Sequence, residues 1–238
     1  MTSSPEPTLS GLRVAITGGT SGLGLSLVQT LSSRGADVAF MARREDRVRD
    51  VAARHAGTHG ISGDVSRKDD TYPIAMGITT ALGGLDVLIN NASSLGSVPL
   101  ALLADTDCED LEAALATNVV GPFRLTKALL GALSASAREG RPALVINVTS
   151  DAAVTPYANW GAYGTSKAAL LHMSRIWDEE LRVHGVRVRA IDPGDMDTPL
   201  HALAVPDADP ATLKHPDDSA REIADLIESA FQEAATVA

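Results

Sequence analysis

The chain is nearly free of the residues that form covalent cross-links. Cys108 is the single cysteine among 238 residues, so no disulfide can form within one molecule. Such sparing use of cysteine is typical of proteins in a reducing compartment, and we expect a cytoplasmic protein. Cys108 lies among acidic residues, and we interpret it as a structural or incidental thiol.

The chain also lacks the segments and charges that would direct it to a membrane or a nucleic acid. No apolar run approaches the roughly 20 residues that a membrane-spanning helix needs. The net charge of −10 argues against nucleic acid or an anionic membrane as a main partner. Residues 1–10 contain Pro5, Glu6 and Pro7 but no basic stretch, so we expect a flexible tail and not a signal peptide.

No spacing of the six histidines is typical of metal ligands. His55 and His59 are four residues apart, but Gly57 lies between them and Gly60 follows. This pattern suits a helix end and a loop better than a zinc site. We therefore expect no metal site.

Strand and helix signals alternate regularly along the chain, which predicts a single α/β domain over residues 11–238 with a doubly wound parallel sheet. Predicted strands cover 13–17, 37–42, 58–63, 85–90, 143–148 and 186–191. Predicted helices cover 23–34, 45–53, 69–82, 106–115, 119–137, 162–184 and 217–231. Residues 195–216 are rich in Ala, Asp and Pro, and we interpret them as a loop or short-helix lid.

A glycine-rich turn follows the first predicted strand and leads into the first helix. The turn reads Gly18-Gly19-Thr20-Ser21-Gly22-Leu23-Gly24. Strand, glycine turn and helix in this order form a phosphate-binding element, because glycines allow close backbone approach and the helix N-terminus presents free N–H groups. A glycine-rich turn without a ligand is the alternative.

A tyrosine and a lysine share one helix face in the second half of the chain. Tyr163 and Lys167 are four residues apart, and Ser150 precedes the tyrosine by thirteen positions. A nearby ammonium favours the phenolate, so we expect Lys167 to lower the pKa of Tyr163 toward the working range. With Ser150 holding an oxygen, these groups fit proton transfer at a carbonyl or a carbinol.

These features together resemble the short-chain dehydrogenase/reductase family over residues 12 to about 200. The motifs occur in the family's order: Thr17-Gly18-x-x-x-Gly22-x-Gly24, Asp64-Val65, Asn90-Asn91-Ala92, Asn118, Ser150, Tyr163-x-x-x-Lys167 and Pro193-Gly194-x-x-x-Thr198. Two departures stand out. Ser93 replaces the family's usual glycine, and the C-terminus lacks the usual last strand.

The resemblance implies a Rossmann sheet with strand order 3-2-1-4-5-6, a missing seventh strand and a nicotinamide cofactor. It places the cofactor's pyrophosphate at Gly18, Thr20, Ser21, Gly22, Leu23 and Gly24. It places the adenine at Asp64 and Val65, the adenosine ribose at Asn91 and Ala92, and the nicotinamide at Pro193, Gly194, Met196 and Thr198. Ser93 fits only if its backbone avoids positive φ. Pro193-Gly194 also occurs in ordinary turns.

The end of the second strand bears on the choice between NAD and NADP. NAD enzymes usually carry Asp or Glu there, whereas this strand ends in Ala42 and is followed by Arg43 and Arg44. Because arginine binds a phosphate bidentately, we expect NADP(H). In the alternative interpretation both arginines simply begin a charged helix, with Glu45 and Asp46 as their partners.

The resemblance also implies the catalytic roles. Tyr163 acts as general acid or base, Lys167 binds the nicotinamide ribose and Ser150 orients the substrate oxygen. The side chain of Asn118 or the neighbouring backbone positions a water that relays protons to the lysine. Asn118 could instead cap a helix, and both roles can coexist. The predicted reaction is NADPH-dependent reduction of a ketone or aldehyde. The alternatives are a non-catalytic NADP-sensing regulator on the same fold and an NAD-linked alcohol dehydrogenase.

The substrate site is expected around Ser94, Asp151, Tyr157 and Trp160. The two aromatic residues either stack on the substrate or pack the loop. Asp151 could favour a cationic or hydroxylated substrate, although adjacent side chains such as those of Ser150 and Asp151 are expected to point apart. For assembly, we expect a homodimer through helices 119–137 and 162–184, because the chain offers no last strand for a further contact.

Overall fold

The computed structural model describes the backbone of residues 8–237 and the side chains of residues 8–232. Its centre is a six-stranded sheet in the order β3-β2-β1-β4-β5-β6, with every neighbouring pair parallel. The strands are β1 (Arg13–Thr17), β2 (Asp37–Ala42), β3 (Thr58–Ser62), β4 (Val87–Asn90), β5 (Leu144–Val148) and β6 (Arg187–Ile191). The predicted strand order is confirmed, and the described part of the chain adds no seventh strand to the sheet.

Eight α-helices connect and cover the strands in the described residues. They are α1 (Gly22–Ser33), α2 (Glu45–Arg54), α3 (Thr71–Leu82), α4 (Cys108–Leu115), α5 (Gly121–Arg138), α6 (Gly161–Leu181), α7 (Pro199–Ala204) and α8 (Pro216–Val237). A π-helical turn, Ala116–Val120, joins α4 to α5. The predicted helix ends lie within a turn of these, except that the last helix continues from its predicted end at residue 231 to Val237.

The sheet is apolar on both faces, and each face packs against its own helices. On one face, α1 and α8 pack against each other and the strands, with Ile223 and Ile227 of α8 buried. On the other face, α3 and α5 bury Ile78 and Leu129 against the strands. The predicted C-terminal helix therefore takes the place beside α1 and covers the first face.

The beginning of the domain lies earlier than predicted. Residues 1–7 of the predicted tail 1–10 lie outside the described residues. Leu9 is fully buried in the core beneath α1, and its N–H donates to the Arg34 carbonyl across 2.9 Å. The tail boundary at residue 10 is therefore wrong, because an apolar side chain at position 9 completes the packing of this face.

Two histidines that were considered as metal ligands have other partners. His55 caps the end of α2, as predicted. His59 lies in β3 and not in a loop, and its Nε2 is 2.9 Å from a carboxylate oxygen of Asp37. Among the described helices, none combines the length and the apolar composition needed to cross a bilayer.

The amino end of the sheet is held together by a buried carboxylate. Asp86 is fully buried and accepts hydrogen bonds from Arg13 (Nη2–Oδ1 2.8 Å) and Arg141 (Nε–Oδ1 2.9 Å). Burial alone would raise the pKa of Asp86, but hydrogen bonds from the two guanidiniums hold it at about 2. This ion cluster ties β1, β4 and the entry to β5 together at one end. The opposite, carboxyl end is where the motif residues gather, as in other open parallel sheets.

Candidate active site

The glycine turn after β1 is shaped by close backbone contacts. Gly18 has a φ of 73°, and the Asn91 side chain after β4 donates to the Thr17 carbonyl across 2.9 Å. A Cβ on Gly24 would overlap the Gly18 carbonyl oxygen and lie 2.5 Å from Asn91 Nδ2. Ser21 precedes α1 without a side-chain cap, and the first turn has no acidic residue. The helix N-terminus is therefore available to an anion.

The two arginines after β2 differ in their partners. Arg44 is paired with Asp46, with Nε 3.2 Å from Oδ1, so the charged-helix interpretation holds for this residue. Glu45 pairs with Arg49 and not with Arg43. Arg43 is exposed and has no ion-pair partner among the described residues. Of these two arginines, Arg43 is therefore the one whose guanidinium is free in the described part of the chain.

Asp64 is fixed beyond the end of β3 with one oxygen in use. Its Oδ1 accepts from the Ser66 N–H (2.9 Å) and hydroxyl (2.7 Å), while Oδ2 has no hydrogen-bond partner within the described chain. Val65 is nearly buried, and a Cβ on Gly121 would lie 2.9 Å from its carbonyl oxygen. The free Oδ2 can accept from an amino group such as that of adenine.

Lys167 is buried beneath Tyr163 on α6. The lysine is 2% exposed, its ammonium donates to the Val148 carbonyl across 2.8 Å, and Nζ lies 5.4 Å from the centre of the tyrosine ring. Burial lowers the pKa of Lys167 to about 8, and the charge of Asp192 opposes this shift. The end of β5, α6 and the start of the Asp192 loop thus meet at one buried cation.

The expectation that Lys167 lowers the pKa of Tyr163 toward neutrality is wrong for the protein alone. Burial raises the pKa of Tyr163 to about 12, and hydrogen bonding with the Ser150 and Ser93 side chains only partly offsets this. The ammonium is directed to a backbone carbonyl and lies over the ring, so the loss of hydration at the phenol dominates. At neutral pH Tyr163 is therefore a neutral phenol and can donate a proton.

Asn118 is fully buried in the π-helical turn and uses all its hydrogen-bonding capacity. Nδ2 donates to the Ser94 carbonyl and the Ser166 hydroxyl, both at 2.8 Å. Oδ1 accepts from the Ser94 N–H (2.8 Å) and the Ser93 hydroxyl (3.2 Å). The helix-cap interpretation is wrong, because α5 begins at Gly121 and this side chain instead ties the loop after β4 to α6. No capacity remains on the side chain for a water molecule.

Ser93, which replaces the family's usual glycine, contributes a hydroxyl to the site around Tyr163. Asn159 is the only non-glycine residue of the described chain with a positive φ, so Ser93 meets the expected backbone condition. Its hydroxyl contacts Asn118 and lowers the pKa of Tyr163 by hydrogen bonding. The sequence signal for this role was the replacement of the family's glycine by a hydroxyl-bearing residue.

Ser150, Asp151 and Tyr157 form a hydrogen-bonded group beside the phenol. The Ser150 hydroxyl donates to Asp151 Oδ1 across 3.0 Å and accepts from the Ala152 N–H across 3.2 Å. The Tyr157 hydroxyl donates to Asp151 Oδ2 across 2.6 Å. The expectation that residues 150 and 151 point apart is wrong, because the chain passes from an extended residue at Ser150 into a 3₁₀ turn and brings both side chains together.

The aromatic residues of the expected substrate site lie in one row. Trp160 packs edge-on against Tyr163 with ring centres 5.6 Å apart, and Tyr157 follows at 6.3 Å from Trp160. Tyr157 is half exposed and borders a cleft of about 490 Å³ that Leu103 and Trp160 also line. The Ser94 backbone is tied to Asn118, and its hydroxyl accepts from the Gly96 N–H across 3.2 Å.

The loop after β6 brings the last expected cofactor residues to the same edge. Gly194 has a φ of 79°, and its N–H donates to Asp192 across 2.9 Å. Met196 forms an isolated parallel bridge with Lys214, which joins the two ends of the predicted lid. The Thr198 hydroxyl caps α7 by accepting from the His201 N–H across 3.2 Å and keeps its own hydrogen to donate.

This set of hydrogen-bonding and charged groups fits a nicotinamide dinucleotide. An uncapped helix N-terminus, a free guanidinium and a free carboxylate oxygen lie beyond β1, β2 and β3, and the Tyr163–Lys167 pair lies beyond β5. A model of the short chain dehydrogenase family matches residues 13–209. The chain belongs to this family.

Relatives with known names support the same assignment to an oxidoreductase family. A glucose 1-dehydrogenase of Gluconobacter oxydans is 30% identical over 231 residues, which cover 91% of this chain and 84% of the relative. A serine 3-dehydrogenase of Rhizobium radiobacter is 32% identical over 187 residues, which cover 78% of this chain and 72% of the relative.

Solved structures of the family have the same fold and bind nicotinamide cofactors. A 3-ketoacyl-(acyl-carrier-protein) reductase from Brucella melitensis, complexed with NADH, gives a TM-score of 0.86 at 26% identity and covers 92% of this chain and 91% of that chain. A short chain dehydrogenase from Burkholderia cenocepacia in complex with NADP gives a TM-score of 0.80, also at 26% identity and with the same coverage. The fold of this protein is thus one that binds a nicotinamide cofactor.

Gly24→Ala tests the glycine turn. We expect it to cost about 1–3 kcal/mol of unfolding free energy and to weaken NADPH binding, because the new methyl group pushes α1 away from the Gly18 backbone. Gly131→Ala is the matched control, since a Cβ there meets no atom within 4 Å on an exposed face of α5. It should stabilise the protein by about 0.5–1 kcal/mol. Urea unfolding and fluorescence titration measure both effects, and equal behaviour of the two variants would contradict the close approach.

Proposed function

We propose that the protein is an NADPH-dependent reductase of a ketone or aldehyde that also runs in reverse as an alcohol dehydrogenase. The observation that supports this best is a neutral, buried Tyr163 phenol beside the Ser150 hydroxyl and above the Lys167 ammonium. A phenol with a pKa of about 12 keeps its proton until negative charge develops on a neighbouring oxygen.

In the proposed mechanism a nicotinamide held by Pro193, Gly194, Met196 and Thr198 would supply the hydride for the carbonyl carbon. Tyr163 donates its phenolic proton to the carbonyl oxygen, and Ser150 orients that oxygen by hydrogen bonding. Lys167 stabilises the phenolate that remains, because its positive charge lies 5.4 Å from the ring centre in a site shielded from water. In the oxidation direction Tyr163 accepts the proton of the alcohol.

Reprotonation of Tyr163 needs a path to solvent. We assign the relay water to the Asn118 carbonyl, because the Asn118 side chain is already saturated. Pro122 lies four residues further on and has no N–H for an α-helical bond to that carbonyl. The Asn118 carbonyl would then remain an acceptor for the relay water.

The NADP preference rests on Arg43. Its free guanidinium follows directly after Ala42, where an NAD enzyme usually carries a carboxylate. Two alternatives are less well supported. A non-catalytic regulator would not need a complete Ser150, Tyr163 and Lys167 set, and an NAD-linked enzyme would not benefit from an unpaired arginine at this edge.

A homodimer is the assembly that we infer. Phe123 of α5 stacks on Trp177 of α6 with ring centres 5.4 Å apart, and Phe123 and Ile176 expose about two fifths of their surface (40% and 45%). These apolar side chains lie on the two helices expected to pair with those of a second copy. The single cysteine supports a cytoplasmic location.

Tyr163→Phe tests the reaction. We expect it to lower kcat for NADPH-dependent ketone reduction by about 10²-fold or more, because general acid catalysis is lost, while the Kd for NADPH changes little. Tyr72→Phe on the exposed surface of α3 is the control and should behave like the wild type. Steady-state rates with a carbonyl panel measure the first quantity and fluorescence titration the second. Retention of most of the activity in Tyr163→Phe would refute the mechanism.

Arg43→Ala tests the cofactor preference, with Arg44→Ala as the matched control. Loss of a charge-assisted bond to the 2′-phosphate should raise the Kd for NADPH by about ten- to a hundredfold and leave that for NADH unchanged. Arg44→Ala should have a much smaller effect, because Asp46 already holds that guanidinium. Titrations of each variant with both cofactors decide the matter, and equal losses for NADPH and NADH would assign a structural role to Arg43.

A further inference from the structure

The hydrogen bonds of Ser150 restrict what it can offer to a substrate. Its hydroxyl has one hydrogen, which it donates to Asp151 Oδ1 across 3.0 Å. Its oxygen already accepts from the Ala152 N–H. A plain ketone that enters this site must therefore compete with the Asp151 carboxylate for the Ser150 hydrogen.

The Asp151 carboxylate lies beside the reacting groups without a cation. Its oxygens accept from Ser150 and Tyr157, and it forms no ion pair among the described residues. Burial is the main cause of the raised pKa of Tyr163, and the negative charges of Asp192 and Asp151 add to it. The negative charge of Asp151 disfavours negative charge on the substrate oxygen. A substrate group that donates a hydrogen bond to Asp151 weakens this repulsion and therefore stabilises the transition state.

From this geometry we propose that Asp151 and Tyr157 bind a hydroxyl group on the carbon next to the substrate carbonyl, so that the enzyme reduces α-hydroxy ketones or aldehydes to vicinal diols. The proposal rests on the reductase function given above. The substrate hydroxyl donates to Asp151 in place of Ser150, whose hydrogen then turns to the carbonyl oxygen. The carbonyl and hydroxyl oxygens of such a substrate are separated by about the length of an O–H···O bond, as Ser150 Oγ and Asp151 Oδ1 are.

A hydroxyl fits this site better than an ammonium group. The Tyr157 hydroxyl is both donor and acceptor, and it lies 2.6 Å from Asp151. If the substrate group also draws Tyr157 away from Asp151 Oδ2, a hydroxyl can donate to the carboxylate and accept the freed Tyr157 hydrogen. An ammonium has no acceptor for that hydrogen.

Three ketones separate recognition of the hydroxyl from its electronic effect. Hydroxyacetone has the hydroxyl, methoxyacetone has a similar electron-withdrawing oxygen without a hydrogen to donate, and acetone has neither. We expect the wild type to favour hydroxyacetone over methoxyacetone by about ten- to a hundredfold in kcat/KM, the range of a hydrogen bond to a charged group. An aminoketone with the same skeleton tests the ammonium alternative and should be reduced less efficiently than hydroxyacetone.

Asp151→Ala should remove the preference, with kcat/KM for hydroxyacetone falling and that for methoxyacetone rising as Ser150 recovers its hydrogen for the carbonyl. Tyr157→Phe keeps the carboxylate and should reduce the preference by a smaller factor. Asp50→Ala, on the exposed face of α2, is the control and should leave the ratio unchanged. Thermal unfolding and NADPH titration check that each variant is folded.

The outcomes distinguish this proposal from the function on which it rests. If the wild type reduces all three ketones equally, or if the preference survives in folded Asp151→Ala, the reductase function stands and the role of Asp151 is refuted. If the wild type binds NADPH but reduces none of a broad carbonyl panel, the reductase function itself fails and this inference fails with it.

Discussion

The Lys167 ammonium is buried at the carboxyl end of the sheet, and only the Val148 carbonyl among the described residues accepts a hydrogen bond from it. An unpaired charge in the interior is costly, and the lowered pKa of about 8 expresses that cost. Because the folded pKa lies below the unfolded one, this group makes the protein more stable as the pH rises through about 8. The proposed reaction needs a positive charge near Tyr163, and this need explains why Lys167 is buried in spite of the cost.

Buried amides keep the surroundings of this charge rigid. Asn90 donates to Asn147 across 2.8 Å, and Asn147 donates to Ser174 of α6 across 2.8 Å. Together with Asn118, which holds Ser166, these bonds fix α6 against β4, β5 and the π-helical turn. A small displacement of α6 would leave several buried polar groups without partners, so the positions of Tyr163 and Lys167 are strongly specified.

Much of the fold and the positions of the motifs could be predicted from the sequence, because they depend on local patterns. Apolar runs such as 144–148 predicted the strands, and the glycine spacing predicted the turn before α1. Side-chain partners depend on the folded environment and were not predictable. The pairing of Arg44 with Asp46, the four hydrogen bonds of Asn118 and the convergence of Ser150 with Asp151 all follow from backbone geometry that the residue order does not reveal.

The central claim is that the buried charge of Lys167 enables Tyr163 to donate its proton. The most direct test is the pH dependence of kcat/KM for NADPH in ketone reduction, which reports groups of the free enzyme. It should be constant below pH 8 and fall as the pH rises through about 8, where Lys167 loses its proton. A value that stays constant up to about pH 10, close to the ordinary lysine pKa, would contradict this account.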